Sequence, residues 1–224
     1  LIMRDDIAYN HKNKYPGVIK ASEDGENLYR DVVIDYRADT LGVNDIEDIL
    51  VGNKNDRLTT VLESTDKDNV LLYWTGHGTS QSFSWLGTEE KFTDQQMERT
   101  VRKMYEDKKY LSMLIFTEPC YSGSVIQAIE GIPLVLGITA ADNNESSFAE
   151  NYSEDLGVWM CDRFTLNLMR IFAENPFISL LDAFKMLNAS TIGSHVQVYN
   201  ADKFYYLGNS MLWDYFKTFN DRLL

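Results

Sequence analysis

The chain has 224 residues, 44% of them hydrophobic, with 4 prolines and a formal net charge of −13. This length and composition suit one sizeable core and exclude a disordered chain, and the acidic balance argues against a nucleic-acid partner, because phosphate binding needs a basic face. No apolar run approaches the ~20 residues of a membrane span, and dispersed histidines and cysteines without a glycine-rich phosphate loop predict no metal or cofactor.

The N-terminal part predicts short elements. A strand begins at Leu1, and over 29–36 apolar residues alternate with charged ones, which is typical of a small edge strand. Asn44 is a candidate cap for a helix over 45–51 that ends at Gly52.

Two apolar runs each end in one reactive side chain. The run from Val70 predicts a buried strand that leads to His77, and the run from Leu111 predicts a strand that leads to Cys120. Because parallel strands present their carboxyl ends at one edge of a sheet, where ligands bind in open α/β folds, we expect the imidazole and the thiol to lie at that edge. Taken alone, a cysteine after an apolar run is more often a small buried hydrophobe than a nucleophile, and a histidine in a loop usually has no catalytic role.

The elements between and after these runs alternate between strand and helix. A hairpin arm is expected over 82–86, followed by a helix from Thr93 or Asp94 to about 107. Met97, Val101 and Met104 form the apolar stripe of that helix. The later elements expected are a strand over 134–139, a polar loop over 142–155, helices over 156–173 and 179–188, and a last strand over 203–207. This alternation predicts a doubly wound α/β fold.

The thiol and the imidazole together suit nucleophilic catalysis. Attack on a carbonyl needs a thiolate, and a nearby imidazole or helix N-terminus raises the thiolate fraction of a cysteine. A short helix expected over 122–129 would aim N–H groups at the sulfur of Cys120 and at a developing oxyanion. Gly78 has no Cβ, so a scissile carbonyl can approach the backbone there. A nucleophilic Cys120 leaves Cys161 without a disulfide partner, and we expect Cys161 to pack in the core from a helix.

Several motifs follow one another along nearly the whole chain. They are Asp5-Asp6-Ile7-Ala8, Pro16-Gly17, Asp35-Tyr36, Tyr73 to Gly78, Glu118 to Ser124, Thr139-Ala140-Ala141, Glu145-Ser146-Ser147 and Ser194-His195-Val196. In identity and order they resemble the legumain (asparaginyl endopeptidase) family of cysteine peptidases, with its relative, the catalytic subunit of the GPI-anchor transamidase. The resemblance implies that His77 and Cys120 form a catalytic dyad.

The same resemblance implies the fold. We expect a caspase/legumain-like α/β sandwich, with a mainly parallel central sheet flanked by helices, as a single peptidase domain over residues 1–224. The chain opens in mid-strand at Leu1 without an initiator methionine. We therefore expect the first strand and helix of the family domain to be missing from it.

The resemblance also implies half of a pocket for an asparagine side chain. Glu118, Ser146 and Ser147 match residues that line this pocket in legumains. Val158 stands where legumains have an acidic residue, and the region of the pocket arginine is not in this chain. Gly157-Val158, with Asp162-Arg163 after three intervening residues, is similar to the transamidase relatives, whereas Glu145-Ser146-Ser147 and Ser194-His195-Val196 are closer to legumain. We expect His195 to be structural.

Three functions are open to this sequence. The first is a cysteine endopeptidase that cuts after asparagine, or aspartate, through a thioester that water or an amine resolves, the latter giving ligase or transamidase activity. The second is the catalytic subunit of a GPI-anchor transamidase within a membrane complex. The third is a non-catalytic peptidase-like binding module, against which the presence of both His77 and Cys120 argues.

The expected partner of the enzyme is a peptide or protein substrate. The acidic composition is compatible with an acidic compartment, because self-repulsion falls as carboxylates become protonated. We therefore expect the secretory pathway, in a lysosome- or vacuole-like compartment or the extracellular lumen, or the endoplasmic reticulum for a transamidase.

Overall fold

The computed structural model describes residues 1–37, 40–85, 88–204 and 207–220, the last four by their backbone alone. The strands are β1 (Ile2–Met3), β2 (Tyr36–Arg37), β3 (Asn69–Trp74), β4 (Gly78–Thr79), β5 (Ser82–Ser84), β6 (Lys91–Thr93), β7 (Ser112–Thr117), β8 (Val135–Thr139), β9 (Ala149–Ser153), β10 (Val158–Asp162) and β11 (Gln197–Tyr199). The helices are α1 (Asp45–Val51), α2 (Asp94–Glu106), α3 (Ser122–Ile126), α4 (Arg163–Glu174), α5 (Leu180–Ser190) and α6 (Trp213–Asn220), with 3₁₀ turns at Gln127–Ile129 and Ala201–Lys203.

Among the described residues, a four-stranded sheet in the order β11-β8-β7-β3 forms the centre. β3, β7 and β8 are parallel, and β11 adds an antiparallel edge. Every residue of β7 is buried, and its side chains alternate between two core clusters. Met113 and Ile115 share one cluster with α1, α2 and α3, whereas Leu114 and Phe116 share the other with α4, α5 and α6. Helices thus cover both faces of a mainly parallel sheet, which confirms the predicted fold class.

Helices α1 and α2 begin and end where the sequence predicts. Gly52 closes α1 with a φ of 85°, in the left-handed region that glycine tolerates. The Asn44 side chain does not cap this helix and instead accepts a hydrogen bond from Gln96. Thr93 caps α2 through a reciprocal capping box with Gln96.

The segment that follows β8 differs from the prediction. The predicted loop over 142–155 contains β9, and the first part of the helix predicted over 156–173 is β10, which pairs with β9 in an antiparallel hairpin. Gly157, with a φ of 67°, lies in the turn between them. Tyr152 and Trp159 pair across the strands with ring centroids 5.2 Å apart, a contact that favours strand over helix.

The helical prediction for Cys161 is therefore wrong. Cys161 lies in β10, half-buried, and its thiol donates to the Glu150 carbonyl oxygen across the hairpin at 3.6 Å. Both Cys120 and Cys161 are free thiols. Helix α4 begins only after the hairpin, where the Asp162 carboxylate accepts the Phe164 N–H at 2.9 Å and so caps the helix.

Two predicted strands are also corrected. Of the strand predicted over 29–36, only Tyr36 lies in a paired strand, because the two-residue β1 offers no longer partner and Asp31 has a φ of 60°. The last strand is β11 rather than 203–207, because the chain turns in a 3₁₀ helix that ends at Lys203. Positions 205 and 206 lie outside the described residues, as do positions 86 and 87 of the predicted hairpin arm.

Within the part of the chain that the structure covers, no helix is long and apolar enough to cross a membrane. The same described ranges contain no group of three His, Cys, Asp or Glu side chains arranged to hold a metal ion.

Candidate active site

The two reactive residues follow adjacent parallel strands. β3 and β7 are in register up to Trp74 and Thr117, and His77 and Cys120 each lie three residues further along the chain. Their loops therefore leave the same carboxyl edge of the sheet, as the sequence predicts. This edge is where the open α/β architecture places ligands.

Cys120 lies in a tight turn between β7 and α3. The next residue, Tyr121, adopts a φ of 57°, which is unfavourable for a tyrosine. Its N–H donates to the Glu145 carbonyl oxygen at 2.8 Å. This hydrogen bond ties the turn to the loop that contains Glu145. The Cys120 N–H makes no hydrogen bond to any described residue, so it is free to donate to an oxyanion.

Ser147 lies beside the thiol. The half-buried Cys120 Sγ is 3.8 Å from Ser147 Oγ and 3.9 Å from the Ser147 carbonyl oxygen. Ser146 is exposed. The structure thus brings one of the two predicted pocket serines to the sulfur.

The loop that contains His77 packs against the Cys120 turn at Gly78. A Cβ at Gly78 would collide with the Cys120 carbonyl oxygen and would lie 2.8 Å from Pro119 Cβ. This close contact between the two loops requires glycine at position 78, and the approach of a substrate carbonyl to Gly78 stays a prediction. The His77 ring itself is exposed and makes no hydrogen bond to Cys120 or to any other described side chain.

Glu118 points into a buried polar cluster. Only 5% of this residue is exposed. Its carboxylate accepts a hydrogen bond from the Tyr73 hydroxyl at 3.2 Å and another from the Thr165 hydroxyl. Burial, and then the charge of Glu118, raise the pKa of Asp162 to about 7. Glu118 and Asp162 therefore form a carboxyl pair in which burial and the charge of Glu118 favour the protonated form of Asp162.

These partners of Glu118 are not identified from the sequence. Asp162 belongs to the transamidase-like motif quoted above, and its position before a helix is a recognisable capping signal. Tyr73 comes from β3 and Thr165 from α4, so nothing local indicates that they meet Glu118.

Glu145 links the Cys120 turn to the start of β11. Its carboxylate lies 2.8 Å from His195 Nδ1 and accepts the His195 N–H. This hydrogen bond raises the pKa of His195. Partial burial opposes ionisation of Glu145, but hydrogen bonds from Asp142 and His195 outweigh it and lower its pKa. His195 thus contacts the residue that holds Tyr121, which is consistent with the structural role predicted for it.

The sequence profile of the Peptidase C13 family matches residues 1–209. The chain belongs to the peptidase C13 family. Legumain from Mus musculus is 29% identical over 205 residues, which cover 89% of this chain and 47% of the relative. The vacuolar-processing enzyme delta-isozyme of Arabidopsis thaliana is 30% identical over 178 residues, covering 75% and 38% of the two chains. The GPI-anchor transamidase of Saccharomyces cerevisiae is 27% identical over 209 residues, covering 88% and 49%.

These relatives confirm the resemblance to legumain and to the transamidase subunit. They support a peptidase or transamidase role for this C13 chain. The chain spans about half the length of the curated relatives it matches.

Proposed function

We propose that this C13 chain is a cysteine endopeptidase that cleaves peptide bonds after asparagine or aspartate. Cys120 is the nucleophile and His77 the general base. The observation that supports this most strongly is the packing of the Gly78 backbone against Cys120 at the carboxyl edge of the sheet. It joins the two loops that follow β3 and β7, and Cys120 is only half-buried there.

The proposed reaction proceeds through a thioester. Cys120 Sγ attacks the scissile carbonyl carbon while His77 takes the thiol proton, and the N–H groups of Cys120 and Gly78 donate to the oxyanion. His77 then returns the proton to the leaving amine as the C–N bond breaks. Water, deprotonated by His77, hydrolyses the thioester and frees the thiol. An amine in place of water forms a new amide, which is the ligase or transamidase outcome.

Ser147, Ser146 and Glu118 are the proposed contacts of the substrate side chain that precedes the cleaved bond. Ser147 is adjacent to the sulfur, and a side-chain amide needs both donors and acceptors when it is buried. Val158 is exposed on β10, and its side chain has no hydrogen-bond donor or acceptor. Discrimination for asparagine then depends on the Glu118 cluster rather than on position 158.

A peptide-cleavage assay tests the proposal. Fluorogenic peptides that end in Ala-Ala-Asn, Ala-Ala-Asp or Ala-Ala-Gln before the reporter are offered to the wild type and to variants. Cys120→Ala and His77→Ala are expected to lose at least ~10³-fold in kcat/KM while they remain folded, as removal of a covalent catalyst does. Cys161→Ala is the matched control and is expected to keep its activity. Full activity of Cys120→Ala would refute the proposal.

The second candidate is the catalytic subunit of a GPI-anchor transamidase, in a membrane-associated assembly. The observation that favours it is the Asp162–Glu118 pair, since Asp162 belongs to the transamidase-like motif that ends in Asp162-Arg163. Hydroxylamine added to the assay distinguishes the two. A transamidase produces the hydroxamate in preference to the acid, whereas a peptidase produces mainly the acid.

A chain that neither hydrolyses nor transfers these peptides is a binding module, the third candidate. For the first candidate we propose a lysosome- or vacuole-like compartment of the secretory pathway, and for the second the endoplasmic reticulum.

A further inference from the structure

A cavity of about 380 Å³ lies beside the β9–β10 hairpin, and neither His77 nor Cys120 lines it. Helix α4 contributes Arg163, Asn167 and Arg170 to its wall, and β9 and the end of α5 contribute Glu150 and Ser190. None of these residues has a role in the proposed cleavage reaction.

The α4 residues form a polar stripe on one face of the helix. Arg163, Asn167 and Arg170 are spaced by four and three residues, so they lie above one another on one side. The core-facing side of α4 is made by Phe164, Leu168 and Ile171. The polar stripe is therefore not needed to pack the helix on the sheet.

The charge in the cavity is positive. Arg163 pairs with Glu150 and also donates to the Ile192 carbonyl oxygen, so the one carboxylate of the wall is neutralised. Arg170 is exposed and makes no ion pair or hydrogen bond with the described part of the chain. One unpaired guanidinium thus remains in a cavity of a chain whose net charge is −13.

Asn167 adds an unused donor to the same wall. Its Nδ2 is buried and has no hydrogen-bond partner among the described residues. Buried amide groups are nearly always paired in folded proteins. Rotation of the side chain toward the cavity would allow this amide to donate to a ligand between the two arginines.

We propose that this cavity binds a tetrahedral oxyanion of the phosphate kind, either free or as the ester group of a small polar molecule. Arg170 supplies the charge, Arg163 its remaining guanidinium N–H groups, and Asn167 the amide donor. Guanidinium forks recognise such oxygens through paired, charge-assisted hydrogen bonds. The volume exceeds that of one phosphate, which leaves room for the rest of an ester.

Calorimetric titration with inorganic phosphate, at constant ionic strength set with chloride, tests this site in the full chain. The wild type is expected to bind phosphate, and Arg170→Gln to bind it about tenfold more weakly, because one charge-assisted donor is lost. Arg30→Gln, which removes an exposed arginine far from α4 in the sequence, is the matched control and is expected to bind as the wild type does. Asn167→Leu is expected to weaken binding without any change in charge.

Glycerol 2-phosphate is titrated in parallel. Tighter binding of the ester than of inorganic phosphate identifies an esterified ligand, whereas equal binding identifies the free anion. The absence of phosphate binding at millimolar concentrations, or equal affinity in the wild type and Arg170→Gln, would overturn the proposal. Thermal melts of each variant without phosphate verify that it is folded.

Discussion

The two halves of the candidate active site are built in different ways. The Cys120 half follows a fully buried strand, is held by the Tyr121 turn, and has the nearly inaccessible Glu118 behind it. The His77 half is an exposed loop whose imidazole has no hydrogen-bond partner among the described residues. The core of the fold therefore determines where the nucleophile lies, whereas the base is on a surface segment that can adjust when a substrate binds.

Gly78 is where the two halves touch, so among substitutions outside the Cys120–His77 pair its replacement is expected to have the largest effect. In Gly78→Ala the new Cβ collides with the Cys120 carbonyl oxygen and forces the loops apart. We expect kcat/KM to fall at least ~100-fold, because displacement of a catalytic group by about 1 Å has that effect.

Gly208→Ala is the control for this substitution, since a Cβ there meets no atom of the described residues within 4 Å. Kinetic assays and thermal melts of both variants provide the measurement. Wild-type activity in Gly78→Ala would show that the contact between the loops has no part in catalysis.

Glu118→Gln tests whether the buried half extends into the substrate pocket. A neutral amide replaces a charged acceptor, and we expect kcat/KM for the asparagine peptide to fall roughly 10- to 100-fold. Glu174→Gln, an exposed position at the end of α4, is the control. A lower melting temperature with unchanged kinetics would instead make Glu118 a purely structural residue.

Asp162→Asn tests the carboxyl pair through the pH dependence of stability. The folded pKa of Asp162, about 7, lies above its ordinary value of 3.8, so the folded state binds the extra proton between these values. The free energy of unfolding therefore falls as pH rises through this window, by roughly 1 to 3 kcal/mol after allowance for partial solvent screening.

In Asp162→Asn this slope is expected to disappear. Urea unfolding of the wild type and the variant, followed from about pH 4 to about pH 7.5, measures it directly. Parallel pH profiles in the two proteins would contradict a proton held by Asp162.

The smallest effect is expected from His195→Gln, at the exposed edge of the site. The pair with Glu145 raises the pKa of His195 and lowers that of Glu145. Its stabilising contribution is therefore present between the ordinary pKa values of the two groups, and it is lost as pH rises through the folded pKa of His195 or falls through that of Glu145.

Scanning fluorimetry is expected to show that His195→Gln melts at a lower temperature than the wild type at about pH 5.5. At about pH 9 the two proteins are expected to melt at the same temperature. An equal decrease at both values would mean that the ring contributes by packing alone.

The contrast between the two halves also explains what the sequence could predict. Strands β3, β7 and β8 are continuous apolar runs, and the Thr93–Gln96 capping box is a local signal, so these elements are predicted well. β9 is missed because its polar residues fit a loop, and β10 because its apolar residues also fit a helical period. The pairing of Tyr152 with Trp159 is what identifies the hairpin.

The site divides in the same way. His77, Gly78 and Cys120 follow predicted strands, so their common edge can be expected before the fold is known. The cluster around Glu118, which follows β7 directly, joins residues from β3, β10 and α4. Such contacts depend on packing between distant segments and have no local pattern.

The most direct test of the account is alkylation of the two thiols at about pH 6, where only activated cysteines react quickly. Iodoacetamide labelling followed by mass spectrometry compares Cys120 with Cys161, whose pKa is raised by burial and by nearby carboxylates. We predict that Cys120 is labelled much faster than Cys161 in the wild type and loses most of this advantage in His77→Ala. Equal labelling of Cys120 with and without the imidazole would contradict the proposed dyad.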